Sequence, residues 1–158
     1  MKVFVSVGTH PQPFDRLLGE MDLLAGKEKT LEVFGQVGNC DYKPKNFPFE
    51  RFLNDDEFQG KISWADIVVS HGGAGTLINA LRQGKRLVIV PRLQRFGEHT
   101  NDHQLDLARA FEKEGKGIAV EEIKRLGNAI KMAAAFRPKV GSSRQGLVKA
   151  VKEFIENL

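Results

Sequence analysis

The chain has 158 residues, of which 41% are hydrophobic and 28% are charged, and its formal net charge is +4. This length predicts one domain, 1–158, and this composition excludes a globally disordered protein. Cys40 is the only cysteine in the sequence, which excludes an intrachain disulfide. No run approaches the roughly 18 apolar residues of a membrane span. We therefore expect a soluble domain in a reducing compartment.

Short apolar runs alternate with segments of helical periodicity along the chain. The apolar runs predict strands at residues 3–7, 30–34, 49–53, 67–70, 86–90 and 117–120. Helices are expected at 14–26, after the capping residue Asn54, and at 74–83, 100–114, about 122–136 and 142–157. Gly35 is expected to close the second strand and Gly84 the third helix.

Strands of this kind, continuously apolar and separated by helices, are typical of a parallel sheet with both faces covered. We predict an α/β fold with a doubly wound, Rossmann-like parallel sheet. Ligands of such sheets bind beyond the carboxyl ends of the strands, where the strand order reverses. Three polar loops of the sequence are predicted to lie at that edge.

The first polar loop is the run Ser-His-Gly-Gly-Ala-Gly-Thr at 70–76, which follows a strand and opens a helix. Glycines let the backbone approach an anion, and the helix N-terminus attracts it, so this pattern predicts a phosphate site. The candidate ligands are His71, Gly73, Gly75 and Thr76, with Asn79 one turn further along the same helix face. The alternative is a tight turn whose glycines serve packing only. The run is neither a Walker A loop nor a G-x-G-x-x-G fingerprint.

The second loop, Gly8-Thr9-His10, follows the first strand and is a candidate for the opposite side of the same phosphate site. Gly8 permits a close approach of the backbone, and Thr9 offers a hydroxyl donor. His10 can donate to a phosphate oxygen or accept a proton, which makes it the one candidate catalytic residue on this chain. The alternative is an ordinary surface histidine.

The third loop, at 96–104, is dense in side chains that form hydrogen bonds. Thr100 or Asn101 is expected to cap the following helix, so that its first turn projects toward the strand ends. Such groups suit the hydroxyls of a sugar, and the candidates are Glu98, His99, Asn101, Asp102, His103 and Gln104. The spacing of His99 and His103 also permits a metal, but no third ligand is evident in the sequence. A solvated helix start is the remaining alternative.

An apolar pair, Phe52 and Leu53, ends the third predicted strand at the same edge. It could contact a nucleotide base, and the alternative is a place in the core. The basic excess alone does not indicate nucleic-acid binding, because no basic stripe with interleaved aromatics is present.

The residues quoted above, together with Val-Ile-Val-Pro-Arg at 88–92, resemble the C-terminal, donor-binding domain of glycosyltransferase family 28. Within that family the chain looks most similar to the small PssE-type and Alg-thirteen-type subunits, whose start resembles residues 5–17. The resemblance extends from Val3 to about Val120 and is most specific at 98–104.

The resemblance implies one half of a GT-B enzyme that binds a UDP-sugar. A membrane-associated PssD-type or Alg-fourteen-type subunit would supply the site for a lipid-linked, polyprenyl diphosphate acceptor. By the same resemblance, the loops at 8–9 and 73–76 would bracket the diphosphate, Phe52 and Leu53 would lie by the uracil, and His103 and Gln104 would contact the donor sugar. Many relatives carry a ribose-binding glutamate where this chain has Asn79.

On this basis we expect an inverting transferase that needs no cofactor or metal and works on the cytoplasmic face of a membrane through its partner. The general base is expected to come from the partner. The rival hypothesis is a non-catalytic nucleotide-sugar-binding or regulatory module. The last predicted helix carries an apolar stripe that either packs on its own sheet or helps to dock the partner; the stripe comprises Leu147, Val148, Val151, Phe154 and Ile155.

Overall fold

One parallel sheet forms the centre of the computed structural model of this chain, which describes residues 1–137, 149, 151–153 and 156. Within these residues the strands are β1 (Lys2–Ser6), β2 (Glu32–Gln36), β3 (Phe49–Glu50), β4 (Ile67–Ser70), β5 (Arg86–Ile89) and β6 (Ile118–Ala119). Their order across the sheet is β3-β2-β1-β4-β5-β6, and every neighbouring pair is parallel.

Helices connect these strands. They are α1 (Asp15–Lys27), α2 (Asp55–Trp64), α3 (Ala74–Arg82), α4 (His103–Lys113) and α5 (Leu126–Ala135), with short 3-10 helices at Gln94–Phe96 and Ile123–Arg125. Among the described residues, no helix combines the length and the apolar character that a membrane crossing demands.

The strand order reverses between β1 and β4. The chain builds β1, β2 and β3 in one direction across the sheet and then returns to place β4 on the other side of β1. Ser6 and Ser70, the last residues of these two strands, are therefore paired neighbours. The loops that follow β1 and β4 meet at this switch point, where doubly wound sheets bind their ligands. The predicted α/β, doubly wound, Rossmann-like parallel sheet is confirmed.

The two faces of the sheet carry separate apolar cores, because successive strand residues point to opposite sides. One core lies between the sheet and α1 and α5, and the other lies between the sheet and α2, α3 and α4. In β1, for example, Val3 and Val5 enter the first core and Phe4 enters the second. This arrangement fixes the strands, so the edge that carries the loops rests on a buried scaffold.

Several predicted boundaries are wrong. The third strand ends at Glu50 and not at residue 53, so Phe52 and Leu53 lie in the loop that follows it. Gly35 lies inside β2 and does not close it, because Gly35 and Gln36 still pair with β1. The ring of Phe47 packs where a Cβ of residue 35 would stand, at 2.8 Å. The fourth helix begins at His103, three residues later than predicted, and its N-cap is Asp102 without a side-chain capping bond. The Oδ1 of Asn101 accepts instead from the backbone N–H of His103 at 3.1 Å, two residues on.

Other predicted features of the chain are in place. Asn54 caps α2, where its Oδ1 accepts from the backbone N–H of Glu57 at 2.9 Å. Gly84 follows α3 with a positive φ of 67°. The predicted helix 142–157 and its apolar stripe lie outside the described residues except at 149, 151–153 and 156. Of these, Val151 is buried in the second core.

Candidate functional site

A cavity of about 330 Å³ opens at the switch point between β1 and β4. It lies between the loops that follow these strands on one side and α2 on the other. The structure brings eight of the predicted site residues together in its wall: Gly8, Thr9, Leu53, His71, Gly73, Gly75, Thr76 and Asn79. The sequence predicted both glycine loops at the carboxyl edge of the sheet, and the structure joins them in a single concave site.

The imidazole of His71 occupies the centre of this wall, packed between the two glycine loops. A Cβ added at Gly8 would lie 2.5 Å from the ring, and a Cβ added at Gly73 would overlap its Nε2. Nothing lies within 4 Å of the corresponding position at Gly75. Gly8 and Gly73 thus make room for a side chain of the protein itself, whereas Gly75 leaves the backbone open to a ligand.

His71 is held in its neutral form. Its Nδ1 lies 3.3 Å from the carbonyl oxygen of Ser6, which can only accept, so Nδ1 carries the proton and Nε2 keeps its lone pair. Burial, reinforced by the charge of Arg92 and opposed by the Ser6 bond, lowers the pKa of His71 to about 4. An uncharged ring therefore separates the two loops at neutral pH.

The N-terminus of α3 supplies the anion-attracting part of the wall. Gly73 is its N-cap and has no side chain to occupy the first backbone amides, and the first turn contains no acidic residue. These amides therefore point into the cavity with the positive end of the helix dipole behind them. Thr76 lies in the same turn, and this largely buried residue lines the cavity.

Arg92, which the sequence analysis did not select as a site residue, is buried beneath the loops with 1% of its surface exposed. Its guanidinium donates to the carbonyl oxygens of Val7 at 2.7 Å, Gln12 at 2.6 Å and Glu98 at 3.2 Å. Burial lowers its pKa, and its charge in turn lowers the pKa values of three histidines at this edge. In the sequence, Arg92 stood out only as the last residue of the run at 88–92 that belongs to the family resemblance.

Glu98 belongs to this scaffold and does not line the cavity. Its carboxylate accepts from Arg16 at 2.8 and 2.9 Å and from the backbone N–H of Leu93 at 2.9 Å. The Oδ1 of Asp102 similarly accepts from the backbone of Gln94 at 2.8 Å. These carboxylates shape the loop between β5 and α4.

The other predicted site residues of the segment 98–104 do not line the cavity either. The Oε1 of Gln104 accepts from the backbone N–H of Arg92 at 3.1 Å, and its Cβ packs against Gly72. Asn101 and His103 join each other through the turn described above. Phe52, at 48% exposure, also lies outside the wall, while its neighbour Leu53 is part of it.

His10 and His99 stack on each other, with their ring centroids 4.6 Å apart. Each Nδ1 accepts from the backbone N–H two residues on, at Gln12 and Asn101, so each neutral ring carries its proton on Nε2. Burial first, then the neighbouring charges, lowers both pKa values. In the described part of the chain, no group of three or more histidine, cysteine or carboxylate side chains is arranged to hold a metal ion.

Sequence analysis missed one wall of the cavity, which β2 and α2 form. Gln36, Asp55, Phe58 and Gln59 line it, together with Ala74 on the opposite side. The Asn54 cap fixes the start of α2, and helical spacing then places positions 55, 58 and 59 on one face. That spacing is visible in the sequence, but only the packed fold shows that this face of α2 borders a cavity.

Comparison with known proteins identifies the family. The glycosyltransferase family 28 C-terminal domain matches residues 2–158. The chain belongs to this family. The matched range includes the three polar loops and the whole described sheet.

Two relatives show which proteins this chain is similar to. The UDP-N-acetylglucosamine transferase subunit ALG13 of Homo sapiens is 36% identical over 124 residues, which cover 72% of this chain and 10% of that protein. The UDP-N-acetylglucosamine–N-acetylmuramyl-(pentapeptide) pyrophosphoryl-undecaprenol N-acetylglucosamine transferase of Opitutus terrae is 32% identical over 97 residues, 61% of this chain and 23% of that enzyme. The matched part of the chain therefore corresponds to only a fraction of each relative.

Solved structures share the fold of this family 28 chain. The crystal structure of the kitacinnamycin glycotransferase superposes with a TM-score of 0.69 at 20% identity and covers 97% of this chain and 39% of its own. The single sheet described here thus corresponds to one portion of a GT-B glycosyltransferase, as the sequence predicted.

The packing of His71 against Gly73 predicts a difference between two glycines of the same loop. Gly73→Ala should lower the free energy of unfolding by about 2 kcal/mol, because the new methyl displaces a buried ring. Gly75→Ala should leave stability unchanged or raise it by a few tenths of a kcal/mol, since its site is open and alanine favours a helix. Urea denaturation of both variants measures this difference, and equal stabilities would contradict the described position of His71.

The neutral state of His71 predicts a pH dependence of stability. The unfolded imidazole titrates near 6.5 and the folded one near 4, so the unfolded chain binds the extra proton between these values. Stability should therefore be complete above pH 6.5 and fall as the pH drops toward 4, by up to about 3 kcal/mol from this residue.

His71→Asn keeps a donor for the Ser6 carbonyl but does not titrate, so its unfolding free energy should fall less steeply over this range. His103→Asn, at an exposed position, is the matched control and should follow the wild type. Parallel pH curves for wild type and His71→Asn would show that His71 is not buried in its neutral form.

Proposed function

We propose that the chain is the donor-binding subunit of an inverting glycosyltransferase that moves a sugar from a UDP-sugar to a lipid-linked, polyprenyl diphosphate acceptor. The observation that carries this proposal is the cavity at the β1–β4 switch point, with an uncapped helix N-terminus beside a glycine that leaves the backbone open. That wall suits a diphosphate, and the rest of the cavity, which extends to residues of α2, leaves space for a nucleoside.

The relatives support a choice of donor and acceptor. The human relative is named as a subunit of a UDP-N-acetylglucosamine transferase, which favours UDP-N-acetylglucosamine as the donor here. The name of the Opitutus terrae relative includes a pyrophosphoryl-undecaprenol acceptor, which favours a polyprenyl diphosphate lipid. The human relative is named as a subunit, which supports a partner for this chain. We propose that the partner is a membrane-associated, acceptor-binding chain of the PssD or Alg-fourteen type. This partner would hold the chain at the cytoplasmic face of the membrane.

In this mechanism the chain stabilises the charge that develops on the departing UDP. The backbone amides at the start of α3 and the hydroxyls of Thr76 and Thr9 are the donors that would contact the diphosphate. No metal or cofactor is required for this role. The general base would come from the partner, because His10 stacks on His99 outside the cavity wall.

A charge test at position 75 examines the donor site. Gly75→Asp places a carboxylate at the N-terminus of α3, where it should repel the diphosphate and weaken UDP binding at least about tenfold by calorimetry. Gly75→Asn has the same shape without the charge and should lose much less affinity. Wild-type affinities should fall in the order UDP, UMP, uridine. Equal affinities for the three ligands, or equal losses in the two variants, would place the diphosphate elsewhere.

A transfer assay separates the enzyme from a binding module. Membranes containing the partner and the lipid acceptor are incubated with UDP-N-acetylglucosamine labelled in the sugar, with and without the chain. We expect label in the lipid extract only when the chain is present, and a marked loss with Gly75→Asp. Binding of UDP without any transfer would favour the non-catalytic nucleotide-sugar-binding or regulatory module.

A further inference from the structure

Two histidines outside the cavity wall form a cluster that the donor site does not use. The rings of His10 and His99 stack with their centroids 4.6 Å apart and their planes tilted by 31°. His10 follows β1 and His99 follows β5, so this histidine stack joins two loops at the carboxyl edge of the sheet. Both residues are partly exposed, and a ligand at this edge therefore has access to both rings.

Backbone hydrogen bonds fix the tautomer of each ring in the stack. The Nδ1 of His10 accepts from the backbone N–H of Gln12 at 3.2 Å, and the Nδ1 of His99 accepts from that of Asn101 at 3.3 Å. In each neutral ring the proton is therefore on Nε2. No acceptor among the described residues bonds to either Nε2, so the stack presents two N–H donors without partners.

The charge next to the stack favours an anion as the acceptor for these donors. Arg92 is close enough to lower the pKa of both His10 and His99. Its guanidinium donates to backbone carbonyl oxygens and, among the described residues, to no carboxylate. The carboxylate of Glu98 is paired with Arg16 instead. The histidine stack therefore lies beside a buried positive charge to which no carboxylate is bonded.

The other titratable groups around the stack leave this charge in place. His71 is neutral at neutral pH, and His103 lowers the pKa of His99 further. Asp102 raises the pKa of His99, but the Oδ1 of its carboxylate already accepts from the backbone N–H of Gln94 at 2.8 Å. Two neutral N–H donors beside a fixed cation are groups that bind a phosphate.

The strand order indicates which phosphate can reach the stack. In the sheet, β2 lies on one side of β1, and β5 lies on the other side, beyond β4. Gln36 of β2 and residues of α2 line the part of the cavity that we propose for the nucleoside. The stack, which joins the loops after β1 and β5, is on the opposite side of the diphosphate wall. The transferred sugar and the acceptor that attacks it are expected on that side.

We propose that His10 and His99 bind the diphosphate of the lipid-linked acceptor through their Nε2–H groups. This inference rests on the proposed function and adds to this chain a subsite for the second substrate. Each Nε2–H donates to a phosphate oxygen, and the bound anion favours protonation of both rings. The partner subunit would then hold the acceptor together with this chain.

Asparagine substitutions remove the proposed contact and keep the shape of the loops. In His10→Asn and His99→Asn, the new Oδ1 can accept from the backbone N–H that Nδ1 binds now, while the Nε2 donor is lost. Arg95→Gln is the control, because Arg95 is exposed in the loop between β5 and α4 that also carries His99. It removes a full positive charge from that loop and so measures general electrostatic attraction. Thermal unfolding checks that all three variants are folded.

Titration with geranyl diphosphate, a short polyprenyl diphosphate, in the presence of saturating UDP tests the proposal. In NMR spectra of the histidine rings, the ligand should raise the pKa values of His10 and His99 by about one unit each, which corresponds to about tenfold tighter binding to the charged ring. Calorimetry should show about tenfold weaker binding of geranyl diphosphate to each asparagine variant, and a change within about twofold for Arg95→Gln. All three variants should bind UDP within about twofold of wild type.

Other outcomes overturn the inference in distinguishable ways. Unchanged pKa values of both histidines, or an equal loss of affinity in Arg95→Gln, would show that the stack is no specific phosphate site. A matching loss of UDP affinity in the asparagine variants would assign the stack to the donor diphosphate, and a response to UDP-N-acetylglucosamine alone would assign it to the transferred sugar. If UDP does not bind at all, the proposed function fails, whereas the response of the two rings to geranyl diphosphate still decides whether the stack binds a diphosphate.

Discussion

The buried guanidinium of Arg92 connects the segments that shape the carboxyl edge of the sheet. It donates to carbonyls at the end of β1, in the loop before α1 and in the loop before α4, and its neighbour Glu98 ties Arg16 to the same loop. A buried cation bonded to neutral carbonyls keeps its charge, and this charge acts electrostatically on the groups of the surrounding loops. The same interaction therefore fixes the loop after β1 in place and makes the edge electropositive.

Burial, reinforced by the charge of Arg92, lowers the pKa of His71 and explains why the histidine at the centre of the site is uncharged. His71 can pack between Gly8 and Gly73 at neutral pH because burial and Arg92 both oppose its protonation. The ring sets the separation of the two glycine loops and leaves Gly75, at the N-terminus of α3, facing open space. A diphosphate would meet backbone amides there, with the charge of Arg92 beneath the adjoining loop.

Local patterns in the sequence were sufficient to predict the sheet and the two glycine loops of the site. Continuous apolar strands predicted the parallel sheet, and the rule that ligands bind where strand order reverses predicted that the loops at 8–9 and 70–76 share a cavity. The role of the segment 98–104 was harder to predict from the sequence, because the buried carboxylate of Glu98 is paired with Arg16, 82 residues away along the chain. Asp55 and Gln59 were missed for a related reason: a short helix shows which positions share a face, but only the packed sheet shows that this face borders a cavity.

The central claim is that a nucleoside diphosphate binds in the cavity at the β1–β4 switch point. Titration of the isotopically labelled chain with UDP, followed by amide NMR, tests it most directly because every backbone N–H of the two loops reports separately. A nucleoside diphosphate bound there should give the largest saturable shifts at Gly8, Thr9, Gly75 and Thr76, with smaller ones at the start of α2. Shifts confined to the separate cavity beside Phe34 and Trp64, or no saturable shifts at all, would contradict it.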